Sequence, residues 1–178
     1  MPRGVGAKSY ARGVRYQVKS GTLTVKARSR VHDTTTTWSK VTGEVDADAE
    51  TLASAGAKAT FRVDMTAFDA GDFLKNRKLR KDFDLEAHPT ATFELTSVRD
   101  VVRDGPRFTA TAEGTLEWRG REVGLVLAGQ GKLDDVGLEA TATFELDIRK
   151  LGMSAPRFLM FKMEDEVTVE VRVGGVPA

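Results

Sequence analysis

The sequence predicts an all-β fold of about eight antiparallel strands in one domain, with one or two short helices. Three features predict it. Apolar and polar residues alternate with period two in segment after segment, turn signals separate the segments, and the apolar face is built largely from small residues. Period-two alternation marks half-buried strands with one dry and one wet face. Many such strands between turns suit a two-sheet sandwich or a closed barrel.

The elements follow in order. After a Ser20-Gly21 turn signal, Leu23, Val25 and Ala27 alternate with Thr22, Thr24, Lys26 and Arg28. Thr34 to Thr37, followed by Trp38, read as a strand end or a hairpin arm, and residues 41–47 as a shorter strand. Ala57, Ala59, Phe61, Val63 and Met65 then alternate with Lys58, Thr60, Arg62 and Asp64. Residues 68–84 break the pattern. There Phe73, Leu74, Arg77 and Leu79 approach helical spacing, which predicts a short helix starting near residues 70–72.

His88-Pro89 reads as a turn into a short strand over residues 91–98. Asp104-Gly105-Pro106 precedes the run Phe108, Ala110, Ala112, Gly114, Leu116 and Trp118. Arg119-Gly120 separates that run from a short strand over 122–130. Leu138, Ala140, Ala142, Phe144, Leu146 and Ile148 alternate next. Residues 150–163, which contain Met153, Phe158, Leu159, Met160, Phe161 and Met163, are too apolar for a solvated loop. They should lie over an opening or a core edge. Val167, Val169, Val171 and Val173 form the last run.

A length of 178 residues suits a single domain, here 14–175, preceded by an N-terminal extension over 1–13. Lys plus Arg number 27 against 26 Asp plus Glu, a net charge of +1, so nothing drives the whole chain toward nucleic acid or an anionic surface. Nucleic acid is not an expected partner, since exposed aromatics interleaved with basic residues are lacking. No window approaches the length of a transmembrane helix, so an integral membrane protein is not expected. With no cysteine, disulfides, thiolate–metal clusters and thiol catalysis are excluded. The segment from Met1 to Tyr16 carries Arg3, Lys8, Arg12 and Arg15 but lacks the apolar stretch of a signal peptide. The expected compartment is the cytoplasm if the chain is complete and the periplasm if it has been trimmed.

Catalytic and metal-binding constellations are sparse. His32 and His88 are too few for a three-histidine metal centre, and both read as turn or surface residues. A His32–Asp33 pair could act as a base, but no Ser or Cys nucleophile motif accompanies it. Glycine-rich phosphate loops and calcium-loop spacing are absent. No catalytic residue and no metal ligand is assigned. The basic run Lys75, Arg77, Lys78, Arg80 and Lys81 has two readings. Arg77 and Arg80, on one helix face, could clamp an anionic headgroup, or the run is a solvated face balanced by Asp69, Asp72, Asp82 and Asp84.

The inward positions are small: Ala27, Gly43, Ala47, Ala57, Ala59, Ala110, Ala112, Gly114, Ala140 and Ala142. In an eight-stranded barrel, small inward residues leave volume for one ligand. In a sandwich they would meet large residues of the facing sheet. Patterning alone leaves both open.

The segment VDMTAFDAGDFLKNRKLRKDFDLEAHPTATFEL, residues 63–95, resembles the central signature of the bacterial YceI-like, polyisoprenoid-binding family. Leu79-Arg80, Asp82-Phe83, His88-Pro89 and Ala91-Thr92-Phe93 match it in order and spacing. The stretch from Gly114 to Gly120 is similar to the family's hairpin. Phe144 to Met153, with Arg149 and Gly152-Met153, is similar to the strand that ends in Arg-x-x-x-Gly-Met. The resemblance spans residues 14–173. It departs at Asn76-Arg77-Lys78, where an Arg-Asp pair is usual before the Leu-Arg, and at Arg119, where the hairpin often has His.

The resemblance implies a lipocalin-like, extended eight-stranded antiparallel barrel whose elongated apolar pore accepts an isoprenoid chain. The expected function is non-enzymatic binding, transport or sequestration of an isoprenoid or similar long lipid. The expected liners are Leu23, Val25, Phe61, Val63, Phe93, Leu95, Phe108, Ala112, Leu116, Trp118, Leu125, Leu127, Ala142 and Phe144, with Phe158 and Met160 as an adaptable lid. No cofactor is required, and an isoprenoid quinone or polyprenyl lipid is the bound molecule to expect. A homodimer is compatible with this reading. The rival is a ligand-free structural or protein-interaction barrel.

Overall fold

The computed structural model describes residues 14–48, 51–52, 56–155, 157–158 and 161–178, except for the side chains of 157, 158 and 161. In chain order the strands are β1 (Val14–Arg28), β2 (Asp33–Trp38), β3 (Val41–Ala47), β4 (Ala57–Asp64) and β5 (Phe68–Asp69). Helix α1 (Phe73–Asp82) precedes β6 (Thr90–Asp104), β7 (Arg107–Trp118), β8 (Arg121–Leu133) and β9 (Leu138–Asp147). A 3-10 turn over Ile148–Leu151, the small hairpin β10 (Arg157–Phe158) and β11 (Phe161–Lys162), and β12 (Glu166–Pro177) complete the chain.

Eight of these strands form a closed antiparallel ring in the order β1, β3, β4, β6, β7, β8, β9, β12, and β12 pairs back onto β1. Closure removes the exposed edges that an open sheet would leave unpaired. It also decides between the two architectures that the patterning left open: the molecule is a barrel.

Strand β1 pairs with β12 along one edge and with two strands along the other. Its first residues, Val14 to Val18, pair with β3, and Leu23 to Arg28 pair with β2. The register against β12 shifts between Val18 and Ser20, an irregularity that bends the strand where it changes partner. The threonine run is thus a true strand, β2, and β5 pairs onto it through Trp38 and Phe68. Together they raise one wall at the end of the barrel that carries the β7–β8 turn.

Helix α1 sits at that same end. The Asp72 carboxylate accepts from the Lys75 backbone N–H at 2.8 Å and caps the first turn, and Arg80 and Lys81 lie in the last turn, where the helix dipole favours cations. Leu79 is its buried anchor. The Arg119-Gly120 turn joins β7 to β8 with positive φ at both residues, 57° and 70°. That geometry suits a two-residue hairpin but is uncommon for arginine. The Arg119 guanidinium donates to the Phe83 carbonyl just beyond α1 and lies 5.7 Å from the Trp118 ring centre, tying helix to hairpin. At the opposite end Tyr16 is buried, and its hydroxyl donates to the Asp134 carbonyl at 2.8 Å.

The apolar excursion over 150–163 contributes Leu151, Met153, Ala155 and Met163 to the main core cluster, which places them at a core edge. Within this stretch Met160 lies outside the described residues, and so does the side chain of Phe158.

Candidate ligand cavity

Burial along single strands reveals the space inside. In β9 the inward residues run Leu138, Ala140, Ala142, Phe144, Leu146; the two ends are buried and the three between them only half-buried. In β12 the inward Val167 and Val169 are buried, whereas Val171 and Val173 are half-buried. An inward side chain of a closed barrel can keep solvent-accessible surface only if the lumen beside it is empty. Buried apolar side chains gather in two clusters, one around Trp38, Leu79, Leu146 and Met163, the other around Tyr16, Val45, Leu133 and Leu138.

Between them lies a cavity of about 330 Å³. Small-molecule sites fall at roughly 300–1,000 Å³, and a dry apolar void of only about 150 Å³ binds benzene. The wall is apolar nearly throughout. All fourteen expected liners from Leu23 to Phe144 stand in it. Of the expected lid, Met160 and the side chain of Phe158 lie outside what is described.

Two of the small residues do something other than leave space. A β-carbon on Gly114 would collide with the Phe93 ring, and one on Gly43 would stand 2.9 Å from Cδ1 of Phe61. Phe61 and Phe93 are cross-strand partners in β4 and β6. Each ring closely approaches a glycine of the next strand, in space that a side chain there would take. Ala110, Ala112, Ala140 and Ala142 line the cavity themselves.

Both tryptophans of the chain stand in the wall. Trp38 donates to the Met65 carbonyl at 3.2 Å and Trp118 to the His88 carbonyl at 2.9 Å, which satisfies each indole N–H and holds the rings against the cavity. The turn that supplies Met65 is itself pinned: the Asp64 carboxylate accepts from the Thr66 hydroxyl and backbone N–H, and these bonds hold its pKa below the usual range. His88 therefore contributes its backbone, not its imidazole, to the site.

Sequence reasoning missed several wall residues. Thr34, Thr36, Trp38, Met153 and Met163 all line the cavity. Alternation through β2 was the available signal for the first three, but a run of threonines hides which face is dry. The two residues expected to meet a headgroup are carried by α1. Arg77 and Arg80 are exposed and stand outside the wall, and the Arg80 guanidinium lies 5.4 Å from the Phe68 ring centre. Lys78 pairs with Asp82 at 2.9 Å. From α1 the residue that reaches the cavity is Leu79, with Phe83 just after it.

Among the described residues no group of three His, Asp or Glu side chains could hold a metal ion. No described helix is long and apolar enough to cross a membrane.

Comparison with known proteins agrees with this architecture. The model of the YceI-like domain family matches residues 16–174. Among solved structures, a polyisoprenoid-binding domain from Saccharophagus degradans, implicated in plant cell wall breakdown, superposes with a TM-score of 0.74 at 13% identity, covering 93% of this chain and 99% of that one. BcnA of Burkholderia cenocepacia gives a TM-score of 0.70 at 18% identity, covering 86% and 95%. The YceI protein of Campylobacter jejuni gives 0.65 at 12%, covering 80% and 84%. At these identities the likeness is one of fold. Among curated proteins no match is found.

Proposed function

The chain belongs to the YceI-like family, and from that premise we propose that it binds an isoprenoid or similar long apolar lipid inside the barrel, to carry or sequester it without acting on it chemically. The observation that carries this reading is the half-buried belt of inward side chains between two buried ends, around a cavity of about 330 Å³. A filled structural module would have no such belt. The domain from Saccharophagus degradans, described as polyisoprenoid-binding, supports the same ligand class.

The mechanism is burial. Each CH₂ moved from water into an apolar wall contributes about 0.8 kcal/mol, so one five-carbon prenyl unit gains roughly 4 kcal/mol before the costs of association are met. A few units suffice for useful affinity, and an isoprenoid quinone or a polyprenyl lipid supplies them. Unbranched wall residues such as Met153 and Met163 can adapt to methyl branches along the chain.

Trp38 and Trp118 provide the test, since both line the cavity. Titration with farnesol should give a saturable change in intrinsic fluorescence at one ligand per chain. A response that is absent, or that only rises linearly with added lipid, would overturn the reading.

A further inference from the structure

We propose that the outward face of α1 docks the protein reversibly on an anionic lipid bilayer. The docking surface goes beyond the lipid-binding reading above, on which only the purpose of docking rests. Phe73 and Leu74, the first two residues of the helix, are 76% and 74% exposed. Among the described residues the other exposed large apolar side chains are valines, no two of them adjacent in sequence. Single exposed apolar residues are ordinary, but a phenylalanine beside a leucine on a solvent-facing helix marks a contact surface. Arg77 and Lys81 stand two residues before and after the buried Leu79, so at about 3.6 residues per turn they point away from the barrel. Leu74, five residues before Leu79, falls on the same outward side. Exposure agrees: Phe73, Leu74, Arg77, Arg80 and Lys81 are exposed, whereas Lys75, Asn76 and Lys78 are half-buried.

Charge chooses the partner. Arg77, Arg80 and Lys81 make no ion pair among the described residues. The nearby acids are engaged: Asp72 caps the helix, Asp82 pairs with Lys78 at 2.9 Å, and Asp69 accepts from the Gly71 N–H at 2.9 Å. The chain as a whole carries a net charge of +1, so the attraction is local to this face. An anionic bilayer takes both halves of such a face. The apolar side chains enter the boundary between headgroups and acyl chains, and the cations meet the phosphates. A second copy across a two-fold axis would instead set these cations against themselves. The inner side of the same helix carries Leu79 into the cavity wall, with Phe83 just after it. Docking through α1 therefore brings the cavity's own wall up to the bilayer, where an apolar lipid resides, and shortens that lipid's passage through water.

The test is co-sedimentation with vesicles of equal parts phosphatidylglycerol and phosphatidylcholine, beside vesicles of phosphatidylcholine alone. The unaltered protein should bind the anionic vesicles roughly tenfold more tightly. Raising salt from about 0.1 M to about 1 M should release it, as the screening length falls from about 10 Å to about 3 Å. Phe73→Ser combined with Leu74→Ser should weaken binding roughly tenfold. Arg77→Gln combined with Lys81→Gln should do so by roughly tenfold or more, at about fivefold per cation near the surface. All four side chains are exposed and outside the cavity wall, so the melting temperature and the farnesol affinity should stay those of the unaltered protein. Phe73→Trp should keep docking and add a fluorescence component that brominated acyl chains quench.

Failure of the unaltered protein to bind anionic vesicles, equal binding to both kinds of vesicle, or undiminished binding in either double variant would overturn the proposal. So would a dimer that Phe73→Ser with Leu74→Ser converts to monomers, which would assign the face to a second copy. Docking that persists in a protein unable to bind farnesol would support this proposal and fell the carrier reading.

Discussion

The ring of Phe93 lies across Gly114 of the neighbouring strand, so close that a β-carbon there would overlap both the ring and the Glu94 carbonyl. Phe61 bears the same relation to Gly43, whose β-carbon would meet the Phe61 ring and the Thr60 carbonyl. Large aromatic residues in a barrel interior would ordinarily fill it. Here the missing side chains leave room for the two rings beside the neighbouring strands, and the barrel keeps a lumen.

Gly114→Ala should therefore destabilise the barrel by about 1–3 kcal/mol through overpacking, and should also lower lipid affinity as Phe93 is driven inward. Urea denaturation and a lipid titration check the two effects. An unchanged midpoint would show that the ring is not seated on the glycine.

Ala112→Trp or Ala142→Trp should abolish lipid retention at a near-native melting temperature. Both alanines are half-buried in the wall, and added bulk would occupy the ligand's space rather than overpack a core. Thermal melts read alongside lipid content decide the matter. Loss of several kcal/mol with either change, or retention of lipid, would count against an empty lumen.

Arg77→Gln combined with Arg80→Gln should leave the affinity for farnesyl phosphate within about twofold. Both residues are exposed and outside the cavity wall, and exposed charges contribute little through screened contacts. A tenfold loss confined to the phosphate-bearing lipid would restore the headgroup role that their helical spacing allowed.

Much of this was legible in the sequence because a strand's period of two maps directly onto inside and outside. That is why the alternating runs from Leu23 to Phe144 supply wall residues so consistently. Three features were not legible, each for a physical reason. Thr34 and Thr36 point inward although threonine suits either face, so nothing in composition separates them from Thr35 and Thr37. Gly43 and Gly114 look like empty volume until the rings of Phe61 and Phe93 are seen on them. Spacing alone could not say whether Arg77 and Arg80 stand near the cavity or away from it.

Tyr16 should make the barrel sensitive to alkali. Burial first, then the nearby Asp135, Asp134 and Asp48 carboxylates, push its pKa above the ordinary value. With the folded value raised, the unfolded chain loses the phenol proton more readily. The stability tied to the neutral phenol is thus complete below about pH 10 and falls as pH rises through the folded value. Tyr16→Phe should cost about 1 kcal/mol at neutral pH, since the Asp134 carbonyl loses its donor, and should flatten the alkaline limb. Denaturation midpoints measured from pH 8 to 11 check the slope, and an unaltered alkaline limb in Tyr16→Phe would contradict this assignment.

The most direct test of the central claim is to extract the purified protein with organic solvent, after production in a host that makes isoprenoid lipids, and to weigh what comes off by mass spectrometry. Unaltered protein should release close to one prenyl lipid per chain, and Ala142→Trp should release none. A clean blank from the unaltered protein, or equal lipid from both, would contradict the account.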